Sequence, residues 1–353
     1  MGKIIISGIQ QIGVGVPDVK EAFTWYRRKF GMDVPVFDDP GTAADMLPYT
    51  GGVPQNRHAI LAINMQGGGG FEIWQYTSRT PQAPGFEIKT GDLGFFAAKM
   101  KARDVFAAYD FFKDNDVEVL GNLSEAPDGS MHFYVKDAYG NIFEIVQGGV
   151  FFSKTDAVTA GPSGFVVGVS DIDKSYEFYS RILGYDKVVY DKTDIFEDFA
   201  VLPGGNKKFR RVLLKHSEER KGPFSHMFGP TQVELIQVLD RKPRKIYENR
   251  FWGDLGFIHI CFDIIGMKEL KKQCALLGHP FTTGSGDSFD MGEAAGEFAY
   301  IEDPDGSLIE FVETHKVPIA KKLNWYLNLK KRDAEKPLPN WMIKALALNR
   351  VKD

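Results

Sequence analysis

The stretches GDLGFFAAK (91–99) and GDLGFIHIC (253–261) share a pentapeptide and then part at one chemically loaded position, where Ala97 stands in one copy and His259 in the other. The match extends both ways along the chain. VGVPDVKEAFTWYRRKFGM (14–32) aligns with VGVSDIDKSYEFYSRILGY (167–185), FEIWQ (71–75) with VELIQ (233–237), and KDAYGNIFEIV (136–146) with EDPDGSLIEFV (302–312). These matches keep one order, so the chain carries two tandem copies of about 160 residues.

Each copy is itself double. The stretch 94–120 reads as a strand, an aspartate that can cap a helix, an amphipathic helix with apolar residues three and four apart, and a second strand. The same grammar describes 9–35, 164–190 and 256–281. After each come short strands broken by Gly, Pro, Asn and Asp turns, so the chain predicts four βαβββ modules of an α+β fold. The halves fall at 1–150 (modules one and two) and 151–315 (modules three and four), leaving an extension at 316–353.

Composition bounds the function. At 353 residues, 43% hydrophobic and 25% charged, the chain suits two or more globular domains with a sizeable core. No apolar run approaches the ~20 residues of a membrane span, and MGKIIISG is too short and weakly basic for a secretory signal, so a cytoplasmic location is expected. Cys261 and Cys274 form no spacing motif, which argues against a disulfide framework or a thiolate metal site. A net charge of −4 argues against nucleic-acid binding, which needs a basic face. Small molecules are the expected partners.

The stretches VPD-helix-WYRRKFGM, SDI-helix-FYSRILGY, DAYGNIFEIV and DPDGSLIEFV, over about 9–150 and 163–315, resemble the vicinal oxygen chelate superfamily of glyoxalases, bleomycin resistance proteins and extradiol dioxygenases. The resemblance implies modules paired into two curled mixed β-sheets with helices outside, each sheet offering a metal position on its concave face. Ligands then come from the first and last strand of each module. Alternate side chains of a strand point to one face, so one inward residue per strand can reach a shared centre. Carboxylate, amide and imidazole donors suit the harder divalent cations.

The first-strand column holds Gln11, Ala97, Gly164 and His259, and the last-strand column Glu72, Glu144, Glu234 and Glu310. Two pairings are open. If module one pairs with four and two with three, as in tandem glyoxalases, one site receives Gln11, Glu72, His259 and Glu310, and the other Ala97, Glu144, Gly164 and Glu234. If neighbours pair, Glu234 joins His259 and Glu310 in place of Gln11 and Glu72. The first pairing gives one full ligand set and one blank site. Gln10, beside Gln11, is expected to face the opposite side of the strand.

The resemblance implies one divalent ion (Ni, Zn, Mn or Fe) chelating adjacent oxygens of a small substrate, with Glu310 shuttling a proton in isomerase, lyase or epimerase chemistry. An extradiol ring-cleavage dioxygenase is the enzymatic alternative, although its iron site expects histidine where Gly164 stands. A non-catalytic small-molecule binding or resistance protein is the other alternative, with the 28 phenylalanines furnishing its pocket. A homodimer is left open.

Lesser features complete the reading. GGGG (67–70) lacks the helix and lysine of a phosphate loop and reads as a turn, and His226 reads as a loop residue. The polar run 287–297 suits a loop over a pocket. The extension carries ten Lys/Arg against three Asp/Glu, and NWYLNL and NWMIKALAL around KPLPN predict two helices separated by a proline break, their Trp and Leu faces docking on the body or another subunit.

Overall fold

The computed structural model describes residues 3–286, 289–290, 295–320, 325–330 and 332–352. Module one comprises β1 (Ile5–Gly15), α1 (Val19–Phe30), β2 (Val34–Ala43), β3 (Gln55–Ile63) and β4 (Gly70–Tyr76). Module two comprises β5 (Gly94–Ala102), α2 (Val105–Asp114), β6 (Glu118–Glu125), β7 (Met131–Lys136) and β8 (Ile142–Gln147). Module three comprises β9 (Thr159–Gly168), α3 (Ile172–Leu183), β10 (Lys187–Asp194) and β11 (Phe209–Lys215), then the short helix α4 (Ser225–Phe228) before β12 (Gln232–Val238). Module four comprises β13 (Gly256–Ile265), α5 (Met267–Leu276), the two-residue strands β14 (Thr283–Gly284) and β15 (Phe289–Asp290), β16 (Ala295–Glu302) and β17 (Leu308–Ala320).

Within each module the first and last strands lie side by side and parallel: β1 with β4, β5 with β8, β9 with β12, β13 with β17. Modules then join through their first strands, and here the chain crosses over. β1 pairs antiparallel with β13, and β5 with β9. One sheet therefore runs β14-β16-β17-β13-β1-β4-β3-β2 and the other β10-β11-β12-β9-β5-β8-β7-β6. Module one pairs with four and two with three, so each sheet takes one module from each half.

The helices start where the sequence places them in three modules. Asp18, Asp104 and Asp171 each accept hydrogen bonds from two backbone N–H groups of the following turn. In module four the matching position is Gly266, which brings no capping side chain; Asp263, three residues earlier, is buried within β13, and the Glu313 carboxylate accepts from the Gly266 and Met267 N–H groups at the start of α5 instead. On each central strand one alternation of side chains packs with the helices into the main core (Ile12, Phe71, Ile73, Ile260, Ile309, Phe311), while Gln11, Glu72, Trp74 and Glu310 line a cavity on the other face. Two tyrosines tie helices to distant turns: the Tyr26 hydroxyl donates to Asp137 at 2.6 Å and the Tyr179 hydroxyl to Asp303 at 3.1 Å.

The GGGG segment marks a close crossing of the two sheets. A Cβ on Gly161, ahead of the bulk of β9, would stand 2.0 Å from the Gly69 carbonyl oxygen, so neither a side chain nor a wider loop fits there.

The extension departs from the expected helix pair. β17 continues to Ala320, and Trp325–Asn328 forms β18, antiparallel to it with Val317 opposite Leu327. Trp325–Asn328 of the NWYLNL run is thus a strand, as Trp, Tyr and Leu favour once an open strand edge is available. Among the described residues of the extension, only Asn340–Lys344 forms an α-helix, α6, continued by a short 3₁₀ turn at Ala345–Asn349. Leu338, Ile343 and Leu346 dock on Phe224, Met227 and Phe228, while Trp341 stays exposed. Residues 287–288 and 291–294 of the polar run lie outside the described residues. No described helix is long and apolar enough to cross a membrane.

Candidate metal centre

Pairing β1 with β13 brings Gln11 and His259 into one cup, and the parallel neighbours β4 and β17 add Glu72 and Glu310. One ligand atom each from Glu72, His259 and Glu310 lies within 4.8 Å of the others. His259 Nε2 is 3.0 Å from Glu310 Oε2 and 3.3 Å from Glu72 Oε2. The Gln11 amide nitrogen makes only long contacts to the same two oxygens, 3.3 and 3.4 Å. All four side chains are buried.

His259 is held by its surroundings. Gly13 lies opposite it in the β1–β13 register, and a Cβ on Gly13 would stand 2.5 Å from the imidazole Cε1. The ring therefore fits because residue 13 has no side chain. Trp252 lies nearly parallel to the ring, 6.2 Å away and 10° inclined. The Tyr300 hydroxyl is 3.4 Å from Nδ1. With Nδ1–H donating to that hydroxyl, the lone pair of Nε2 points at the two carboxylates, the tautomer a metal-binding imidazole needs. Burial opposes the imidazolium, but Glu310 and Glu72 outweigh it and push the His259 pKa up to about 9.

Two buried polar atoms here lack a hydrogen-bond partner: His259 Nε2 and Gln11 Oε1. Nε2 is close to the carboxylates but not aligned for a hydrogen bond. A half turn of the Gln11 amide would exchange its oxygen and nitrogen and present Oε1 to the same point. Two carboxylate oxygens, one imidazole nitrogen and one amide oxygen around one buried point are the donor set a divalent cation takes, and a cation would satisfy both orphaned atoms. The residues present fit such an ion.

The centre opens into a cavity of about 650 Å³. Gln10 lines it together with Gln11, contrary to the expected alternation, because a β-bulge between Ile9 and Gln11 turns consecutive side chains the same way. Gln10 donates to Thr314 at 3.2 Å and to Asp263 at 3.4 Å. Burial raises the Asp263 carboxyl to about 7. His226 is remote in bonding: it is exposed and contacts Asn340 at 3.0 Å.

The other cup is built differently. Val166 stands opposite Ala97 where Gly13 faces His259, and Gly164 opposite Lys99 where Gln11 faces Cys261. Lys99 Nζ reaches between the two last-strand glutamates, 2.7 Å from Glu234 and in contact with Glu144. Arg211 Nε donates to Glu234 at 2.7 Å and its Nη1 to Asp198 at 2.8 Å, and His132 Nδ1 contacts Glu144 at 2.8 Å. Three basic groups thus meet three carboxylates. Burial opposes the charge on Glu234, but Arg211 and Lys99 outweigh it and hold its carboxyl well below the usual range. Phe196 and Phe199 cover Arg211, with ring centroids 4.6 and 3.7 Å from the guanidinium carbon.

Sequence reasoning named the four residues of the first cup but missed Gly13, Tyr300 and Trp252, and it missed Lys99, His132, Asp198 and Arg211 in the second. The exchange of Gly13 for Val166 was visible in the VGV alignment as the counterpart of His259 for Ala97.

Comparison with known proteins follows the same lines. The sequence matches the family described as Glyoxalase/Bleomycin resistance protein/Dioxygenase superfamily over residues 8–145 and again over 163–311. No curated protein matches it. Among solved structures, glyoxalase I from Zea mays superposes with a TM-score of 0.54 at 14% identity, covering 87% of this chain and 92% of the other. A putative dioxygenase from Bacillus subtilis superposes with a TM-score of 0.56 at 15% identity, covering 88% and 86%.

Proposed function

Since the chain belongs to the glyoxalase/bleomycin resistance protein/dioxygenase superfamily, we propose that it is a divalent-metal-dependent enzyme that moves a proton on a small substrate bearing two adjacent oxygens. The carrying observation is the pair of orphaned buried atoms, His259 Nε2 and Gln11 Oε1, converging with Glu72 and Glu310 at the floor of a cavity. Gln11, Glu72, His259 and Glu310 would hold the ion, which when bound supplies Lewis acidity toward the substrate oxygens.

The chain's own groups do the rest. Glu310, which lines the cavity, takes the proton from the substrate carbon and returns it to the neighbouring carbon (isomerase chemistry) or to the other face (epimerase chemistry); where the adjacent carbon bears a leaving group, the C–H electron pair forms a double bond as that group departs, which is lyase chemistry. Tyr300 fixes the His259 tautomer, and Trp252 covers the ring. Trp74, Trp252 and Tyr300 lower the polarity of the cavity wall beside these groups, which strengthens the charge interactions there.

The test is hydrogen exchange in D₂O. Phenacyl alcohol, incubated with manganese-loaded protein, should take up deuterium at the carbon beside the carbonyl, and Glu310→Gln should abolish it. Oxygen uptake with a catechol in place of exchange would favour the ring-cleavage alternative, and ligand binding with neither would favour a sequestering protein.

A further inference from the structure

The cavity above the metal centre has two apolar walls of different origin. One is the cluster around Trp74, Trp252 and Tyr300, contributed by modules one and four and the segment before β13. The other contains Phe228, Val317 and Leu346, and it belongs to a separate hydrophobic cluster completed by Leu338 and Ile343. Val317 and Leu346 lie beyond residue 311, where the family match ends. Leu346 is only 4% exposed, and the turn that carries it packs against both β17 and β2. The extension is therefore part of the chamber, fixed in place by its own buried residues.

Of the charged side chains that line the chamber outside the centre, the cationic ones are engaged: Arg57 pairs with Asp39 at 2.8 Å, and the Lys316 ammonium stands 4.4 Å from the centre of the Tyr326 ring, while Asp45 adds a further acidic residue to the lining. A volume of about 650 Å³ falls in the range that encloses most of a small organic ligand. Building on the proposed function, we infer that the extension is a specificity element, and that the substrate carries a neutral apolar body of at least ring size beside its two metal-facing oxygens. A two-carbon or three-carbon substrate would leave both walls unfilled, and a multiply charged conjugate would set its charges against apolar surface without a dedicated counter-ion.

Two hydroxamates test this, because they present the same pair of adjacent oxygens and differ only in a phenyl or a methyl group. Full-length manganese-loaded protein is titrated calorimetrically with benzohydroxamate and acetohydroxamate, and manganese content and thermal midpoint are measured on the same samples. Benzohydroxamate should bind at least tenfold more tightly. In Leu346→Ala and, separately, Val317→Ala the preference should shrink severalfold while manganese content is unchanged. Equal affinity for the two ligands, or no binding of benzohydroxamate, overturns the inferred substrate class. A full preference in both folded variants overturns the role of the extension. If the protein takes up no manganese yet keeps the phenyl preference, the proposed function falls and the apolar chamber stands.

Discussion

Lys99 Nζ stands 2.7 Å from Glu234 Oε2, joining the last-strand glutamates of modules two and three in the cup that lacks His259. Both partners are almost fully buried. Removing one member of a buried ion pair leaves an uncompensated charge, which costs about 3–5 kcal/mol. Lys99→Ala should therefore lower the unfolding free energy by roughly that amount in urea titrations, and millimolar Zn(II) should recover part of the lost thermal midpoint by bridging Glu144 and Glu234. A loss under about 1 kcal/mol would show that the cluster does not hold this sheet together.

His132 makes the second cup sensitive to alkali. Burial works against its charge, but Asp198 and Glu144 outweigh burial and raise its pKa to about 9, from an ordinary 6.5. A folded-state pKa above the unfolded one stabilises most below pH 6.5, and that contribution fades as pH rises to 9. The difference corresponds to about 3 kcal/mol. Thermal midpoints measured from pH 6 to pH 9.5 should fall across that window in the wild type and fall less in His132→Gln.

Gly13 is a steric condition for the metal centre. Its φ is not left-handed, and the first obstacle to a larger residue is the His259 ring, which a Cβ would meet at 2.5 Å. Gly13→Val, which copies the Val166 of the other cup, should displace the imidazole and weaken Mn(II) affinity at least a hundredfold while circular dichroism stays native. Unchanged Mn(II) affinity would mean that the ring can shift and still bind.

Tyr300 acts through His259. Loss of a partner that orients a metal-binding imidazole typically weakens affinity about tenfold to a hundredfold. Tyr300→Phe keeps the ring that packs edge-on to His259, at 5.5 Å and 87°, but removes the hydroxyl. Mn(II) affinity should fall by about tenfold, whereas Phe298→Leu, beside it in the cavity wall, should leave it within twofold.

Much of the fold was legible because two patterns repeat four times: the amphipathic helix after each first strand, aspartate-capped in three modules, and the apolar-flanked glutamate of each last strand. The cross pairing was one of two open arrangements, since strand order depends on long-range pairing that no local pattern encodes. Gln10 was misplaced because a bulge adds a residue without any composition signal. Lys99 escaped notice because a lysine on a strand normally faces solvent, and only the carboxylates from β8 and β12 make its burial tolerable. The strand at Trp325–Asn328 was read as helix because its partner, the prolonged β17, exists only in the folded sheet.

In the proposed function Gln11, Glu72, His259 and Glu310 hold one divalent ion per chain. Metal content by plasma mass spectrometry, after reconstitution with Mn(II) and removal of excess, tests it most directly in wild type, His259→Ala, Gln11→Ala and Glu234→Ala. The wild type and any folded Glu234→Ala protein should carry one ion, His259→Ala almost none, and Gln11→Ala clearly less than one. A wild type without stoichiometric metal, or a His259→Ala protein that retains a full equivalent, would contradict it.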